Sequence, residues 1–182
     1  VFRGKNAWLW DRAKGRARLR AGDREILFRT HDRTGVAFED GRPLSGEALD
    51  DALAGAWKAF CNDTFWLNPL VKLFDDGTRR ALRADGGRPR PAGQYGSGGV
   101  TPGDAYLWHG ARRPPDRLAD VGADPPGRRR PHGVEGWQTL ETGAVVSTLH
   151  KGAIADLALT EVAGGATLDG LEPGAFDRLG PR

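Results

Sequence analysis

Four histidines are the first candidates for chemistry, because imidazole gains and loses a proton near neutral pH. They stand at His31, His109, His132 and His150, and none lies within five residues of another or of Cys61. That spacing gives no zinc-ligand pattern. His31 is followed by Asp32, a carboxylate able to orient an imidazole, so a hydrolase-type enzyme would draw on His31, Asp32, His150 and a nearby acid. Ser97 lies among glycines, but the frame Tyr95-Gly96-Ser97-Gly98-Gly99 lacks the first Gly of a nucleophile elbow, and no strand–turn–helix surrounds it. Thr101 occupies the place where a dinucleotide fingerprint needs its third Gly. Asp75-Asp76-Gly77 is a turn by residue type rather than a calcium loop. Cys61 is the single cysteine, which excludes an intrachain disulfide and suits a small buried side chain. The expectation is therefore a chain with no catalytic set, no metal site and no cofactor.

Aromatic residues offer a different chemistry, the sheltering of an apolar ligand. There are six Trp, at Trp8, Trp10, Trp57, Trp66, Trp108 and Trp137. The stretch from Trp57 to Pro69 also holds Phe60 and Phe65, and Tyr106 stands two residues before Trp108. Such residues either form core or line a cavity, and ligand cavities are mostly apolar with a few polar groups that set orientation. Trp8, Trp10, Trp57, Phe60, Phe65, Trp66, Tyr106, Trp108 and Trp137 are the candidate lining. Asn62, Asp63, Asn68 and Lys72 are the candidate polar mouth, with helix termination and solvation of the next loop as the alternative.

The elements that must position these residues are mostly strands. Phe2, Gly4, Asn6, Trp8 and Trp10 share one face of an extended stretch, with Leu9 opposite. Arg16 to Ala21 alternates charged and apolar residues, the mark of a half-buried antiparallel strand. Glu25 to Thr30 follows with Ile26 and Phe28 inward, then Val36 to Phe38, with turn residues at 11–15, 21–23 and 32–35. The period then changes. Leu49, Leu53, Ala56, Trp57 and Phe60 form one helical stripe, Ser45 can cap it, and Glu47, Asp50 and Asp51 suit its positive end. Asn62-Asp63 is the expected end and Pro69 bars continuation. Beyond it, Ala105–Trp108, Gly136–Leu140, Val145–His150 and Ile154–Val162 read as strands, with a turn-rich approach at Gly96–Asp104.

The net charge is +3, but it is unevenly spread. Residues 79–92 carry five Arg against Asp85, and residues 111–134 carry six Arg against three Asp. Both segments are rich in Gly and Pro, and neither contains an aromatic residue. Single-stranded nucleic-acid binding wants aromatics among the charges, so nucleic acid is not an expected partner. Three readings stay open: irregular Arg/Pro/Gly loops, an anionic-surface arm, or text created by local reading-frame errors at 84–93 and 110–134 in GC-rich coding DNA. The chain starts at Val1 and has no Met, from which a native N-terminus upstream is expected.

A likeness rests on Asn62-Asp63-Thr64-Phe65-Trp66-Leu67-Asn68-Pro69, Lys72-Leu73 and Asp76-Gly77, on Tyr95 to Trp108 and on Glu135 to Gly143. Together with the order strands, helix, strands, this resembles the lipoprotein-sorting superfamily of Lol carriers and receptors, and more nearly an uncharacterised bacterial envelope family of that shape. The resemblance implies an incomplete antiparallel barrel with an internal helix and an apolar cavity, in a protein of the periplasm or associated with the outer membrane. The chain departs from it in lacking the N-terminal helix of such folds and in the missing strand text of 110–134.

The expected architecture is mainly β with one or two helices: a curved antiparallel sheet or incomplete barrel with the amphipathic helix on its concave face. One half-barrel domain spans 1–169, with 79–92 and 110–134 irregular and 170–182 a loose tail. The expected function is non-catalytic binding of an apolar or lipid-like ligand, an acyl chain or a lipoprotein, with peripheral membrane or lipoprotein contact. A hydrolase-type enzyme and a structural envelope domain without ligand are the alternatives.

Overall fold

The computed structural model describes residues 6–85, 87–96, 105–109, 117–120, 130–152, 156–167 and 174–180. Phe2, Gly4, Ser97, the loop from 97 to 104, Ile154, and 110–116 and 121–129 of the second Arg-rich segment lie outside them. Within them the chain is mainly β, with one α-helix and antiparallel sheets, none of them closed into a barrel. It divides into two compact units, one of residues 1–60 with 168–182 and the other of residues 61–167.

The first unit is a five-stranded meander: β1 (Ala7–Asp11), β2 (Arg16–Ala21), β3 (Arg24–Arg29), β4 (Gly35–Glu39) and β5 (Arg42–Pro43), paired in sequence order. Tight turns follow from residue type. Asp40 and Gly41 both have positive φ, 51° and 74°, which is the hairpin turn whose twist matches its flanking strands. Alternation then sorts the side chains by face. Trp8, Ala17, Leu19, Ile26, Phe28 and Ala37 pack together on one side. Helix α1 (Gly46–Leu67) lays Leu49, Ala52, Leu53, Ala56, Trp57 and Phe60 against them, the stripe expected from its period.

The other side of this sheet is also covered. Leu27 is buried with Phe176 and Leu179, and Leu9, Val36 and Phe38 pack around them. Residues 174–180, expected to be loose tail, form a strap ending in a short 3-10 helix (Asp177–Leu179). Arg18 donates to Ala175 O at 3.3 Å, Arg29 donates to Leu179 O at 3.3 Å, and Arg178 pairs with Glu25 at 3.1 Å. The Arg16 guanidinium lies 4.4 Å from the Phe176 ring centre. β3 is thus buried on both faces, where alternation alone placed only Ile26 and Phe28 inside.

The boundary between the units falls within α1, which runs to Leu67 rather than stopping at Asn62-Asp63. Asn62 Nδ2 donates to Asp63 Oδ1 at 3.1 Å, which ties the two side chains to each other within the helix. Burial of Phe65 and half-burial of Trp66 favour another turn of helix. Pro69 then ends it, because the residue before proline leaves the helical region. Asn68 forms the corner, its Oδ1 accepting from Leu70 N at 3.1 Å.

The second unit opens with a 3-10 turn (Val71–Phe74) and builds β6 (Thr78–Asp85), β7 (Arg88–Tyr95), β8 (Ala105–His109), β9 (Arg117–Asp120) and β10 (Arg130–Glu135). A two-stranded excursion, β11 (Gln138–Thr139) and β12 (Val145–Val146), precedes β13 (Leu149–Lys151) and β14 (Leu157–Ala158). The seven-stranded order is β14-β13-β10-β9-β8-β7-β6. Segments 79–92 and 117–120 with 130–134, expected to be irregular, therefore contain strands.

Pro89 and Pro91 are what disguised β7. Gly96 N donates to Gly77 O at 3.0 Å, so even-numbered residues of this strand face β6 with their hydrogen-bonding groups. Pro89 and Pro91 aim the other way, and β8 pairs only with Ala92, Gly93 and Gln94. A proline is tolerated where no ladder bond is required of it.

Candidate functional site

The sequence candidates separate into two aromatic clusters, one in each unit. In the first, Phe60 meets Trp8, Trp10, Phe28 and Trp57 with ring centres 5.6, 5.1, 5.7 and 5.8 Å away. Phe60 and Phe28 are buried, Trp8 and Trp57 half-buried, and Trp10 more open, with Arg12 lying 5.2 Å from its ring. Trp8, Trp10 and Phe28 meet Phe60 edge-to-face and Trp57 stacks on it, which at these distances is how aromatic core fills space. Trp8, Trp10, Trp57 and Phe60 thus pack between the helix and the first sheet.

The second cluster is built from the end of α1 and the centre of the second sheet. Phe65, Tyr95, Tyr106, Trp108 and Val134 are buried together, with Trp66, Leu70, Leu73 and Trp137 packed around them. The register explains the convergence. Gly93 pairs with Tyr106, so Tyr95, Gly93, Tyr106 and Trp108 all present the same face. Gly93 leaves the room that the Trp108 ring uses: a Cβ there would sit 3.1 Å from Trp108 Cη2 and 2.4 Å from Leu73 Cδ2. Phe65 from the helix closes on Tyr106 at 4.9 Å and Tyr95 at 6.0 Å. His150, buried on β13, lies 4.9 Å from the Trp66 ring and serves as another wall of this cluster.

Two polar atoms stand out inside it. The Tyr95 hydroxyl and the Trp108 indole N–H are buried, and neither has a hydrogen-bond partner among the described residues. Burial, then the Asp75 carboxylate, push the pKa of the Tyr95 hydroxyl well up. It therefore remains a protonated donor at neutral pH. Thr78, opposite Tyr95 in the register, adds a third such atom, its Oγ1.

The expected polar mouth is engaged in local structure. Asn62 and Asp63 bond each other. Asn68 Nδ2 donates to Val145 O at 2.9 Å, and Ser147 N donates to Leu67 O at 2.7 Å, which satisfies the last carbonyl of the helix. Lys72 pairs with Asp75 at 3.3 Å. Trp137 is anchored by its indole N–H to Val134 O at 3.0 Å.

His31 and Asp32 form an exposed pair at 3.0 Å in the turn between β3 and β4. The Asp32 carboxylate accepts from Thr34 N at 2.9 Å and Thr34 Oγ1 at 2.8 Å, and these bonds hold its pKa below the usual value. That is the bonding of a turn-forming aspartate. His150 belongs to the other unit, and His109 and His132 lie in β8 and β10. Cys61 is buried and is not in a disulfide. Among the described residues no group of three or more His, Cys, Asp or Glu is assembled for a metal ion, and no helix is long and apolar enough to cross a membrane.

An open depression of about 290 Å³ is lined by Arg79, Gln94, Tyr95 and Gly96. Arg79 and Gln94 are register partners on the side of the sheet opposite the Tyr95 ring, so this depression is separate from the aromatic interior. Sequence reasoning missed Tyr95, Val134 and Leu73. The alternation of Gly93 and Tyr95 with Ala92 and Gln94 was the available signal, obscured by the prolines just before it. Comparison with protein-family models, with curated proteins and with solved structures finds no match.

Proposed function

We propose that this chain is a non-catalytic binding protein of the bacterial envelope, whose second unit takes an apolar, lipid-like ligand such as an acyl chain among Phe65, Trp66, Tyr106 and Trp108. The observation that carries the reading is the pair of buried donors without an acceptor among the described residues, Tyr95 O–H and Trp108 N–H. A buried polar group left unpaired costs about 1–3 kcal/mol. An apolar ligand bearing a carboxylate or carbonyl oxygen supplies the acceptor that such donors need, while its chain gains about 0.8 kcal/mol per buried CH₂. Trp66, Leu70 and Leu73 are only partly buried and are the side chains whose rotation admits it.

The test is titration of the full chain with a long-chain fatty acid, beside Tyr95→Phe. Removal of an unpaired hydroxyl leaves the ligand-free protein as stable or more stable, and weakens fatty-acid binding several-fold. Absence of saturable binding by the parent chain, or a Tyr95→Phe protein that loses stability yet binds equally well, would sink the reading.

A further inference from the structure

The β6–β7 hairpin has two faces of different chemistry. Register partners share a face, so Leu82 stands with Pro91, Ala84 with Pro89, and Arg80 with Gly93. Leu82 is 72% exposed there. Phe74 joins this side, with its ring 5.4 Å from the Arg80 guanidinium, and it is 75% exposed, with Val71 of the same 3-10 turn 57% exposed. The opposite face carries Arg79, and Arg83 paired in register with Arg90. Over residues 79–92, five Arg oppose one Asp, a net +4.

β6 is the last strand of the seven-stranded order, and arginines on an edge strand discourage pairing with another chain. That accounts for the charge but not for Phe74, Leu82 and Val71, large apolar groups held in water next to it. A nucleic acid would use the guanidinium groups and has no use for Leu82 or Val71. An anionic bilayer uses both: phosphate headgroups for the arginines, the headgroup–acyl boundary for the apolar side chains.

We propose that the β6–β7 hairpin, with Val71 and Phe74, docks on a membrane surface rich in anionic lipid. The open edge of β6 and the hairpin end meet the bilayer, so that Leu82 and Phe74 of one face enter the interface with Arg80 beside them, while Arg79, Arg83 and Arg88 of the opposite face reach headgroups around that edge. This inference stands apart from the ligand site, because none of its residues belongs to the Phe65–Trp108 cluster.

Flotation of the full chain with vesicles of phosphatidylcholine alone, and of equal parts phosphatidylcholine and phosphatidylglycerol, tests it. The chain is expected to float with the anionic vesicles only. Phe74→Ser/Leu82→Ser and Arg83→Glu/Arg88→Glu should each weaken this on the order of tenfold or more, while Leu82→Phe retains it. All three variants change exposed side chains, and an unshifted thermal melt checks that they fold. No preference for anionic vesicles would overturn the proposal. So would binding unaffected by the serine pair, or binding that a single-stranded oligonucleotide abolishes equally in the parent chain and the serine variant, which would assign the arginines to nucleic acid.

Discussion

Asp11 illustrates how a single carboxylate can hold a corner of the first unit. It is buried at the end of β1, where Lys14 N donates to it at 3.1 Å and Arg16 Nε at 2.9 Å. Burial by itself raises its pKa, but those two bonds and the nearby positive charges outweigh it and bring it below the ordinary 3.8. The unfolded chain therefore takes up this proton first as pH falls. The stabilisation is complete above pH 3.8 and is lost as pH drops through the lower folded value. Asp11→Asn should lower stability at neutral pH by about 1–2 kcal/mol and flatten the acid limb, as read by urea unfolding across pH. At this scale much was legible: Trp8 and Leu9 do face opposite sides, as a two-residue period requires. Tyr95 was not, since Pro89 and Pro91 just before it hide the alternation that turns it inward.

Helix α1 and strand β7 show why elements differ in legibility. The stripe from Leu49 to Phe60 is visible because helical period and burial coincide. The end of the helix was hidden because Asn62 and Asp63, helix-ending by residue type, bond each other inside a helix that burial of Phe65 carries on to Leu67. β7 was hidden because its prolines occupy positions that owe no ladder bond. Two glycines separate the elements in opposite directions. At Gly55, exposed in mid-helix, an added Cβ meets nothing within 4 Å. Gly55→Ala should raise stability by about 0.5–1 kcal/mol, checked by thermal unfolding. At Gly93 the same methyl group meets Leu73 and Trp108. Gly93→Ala should lower stability by about 1–3 kcal/mol and change the near-ultraviolet circular dichroism of the Trp108 cluster.

At the scale of the whole molecule, the described residues hold an aromatic core in each unit, where the aromatics were expected either to form core or to line one cavity. The strap at 174–180 escaped sequence reading because it carries only two buried residues, Phe176 and Leu179, whose burial depends on Leu27 far away in the chain. Phe176→Ala should lower the stability of the first unit by about 3 kcal/mol, seen as earlier urea unfolding by fluorescence of Trp8, Trp10 and Trp57. The basic pI near 9.3 now has a partly structural setting, since 79–92 forms a paired hairpin. The assignment of the ligand to the second unit is tested most directly by quenching with a brominated long-chain fatty acid. One variant keeps Trp66, Trp108 and Trp137, with Phe at 8, 10 and 57; its complement keeps Trp8, Trp10 and Trp57. Saturable quenching in the first variant and none in the second is the expected result. Quenching confined to the complement, or absent from both folded variants, would contradict the account.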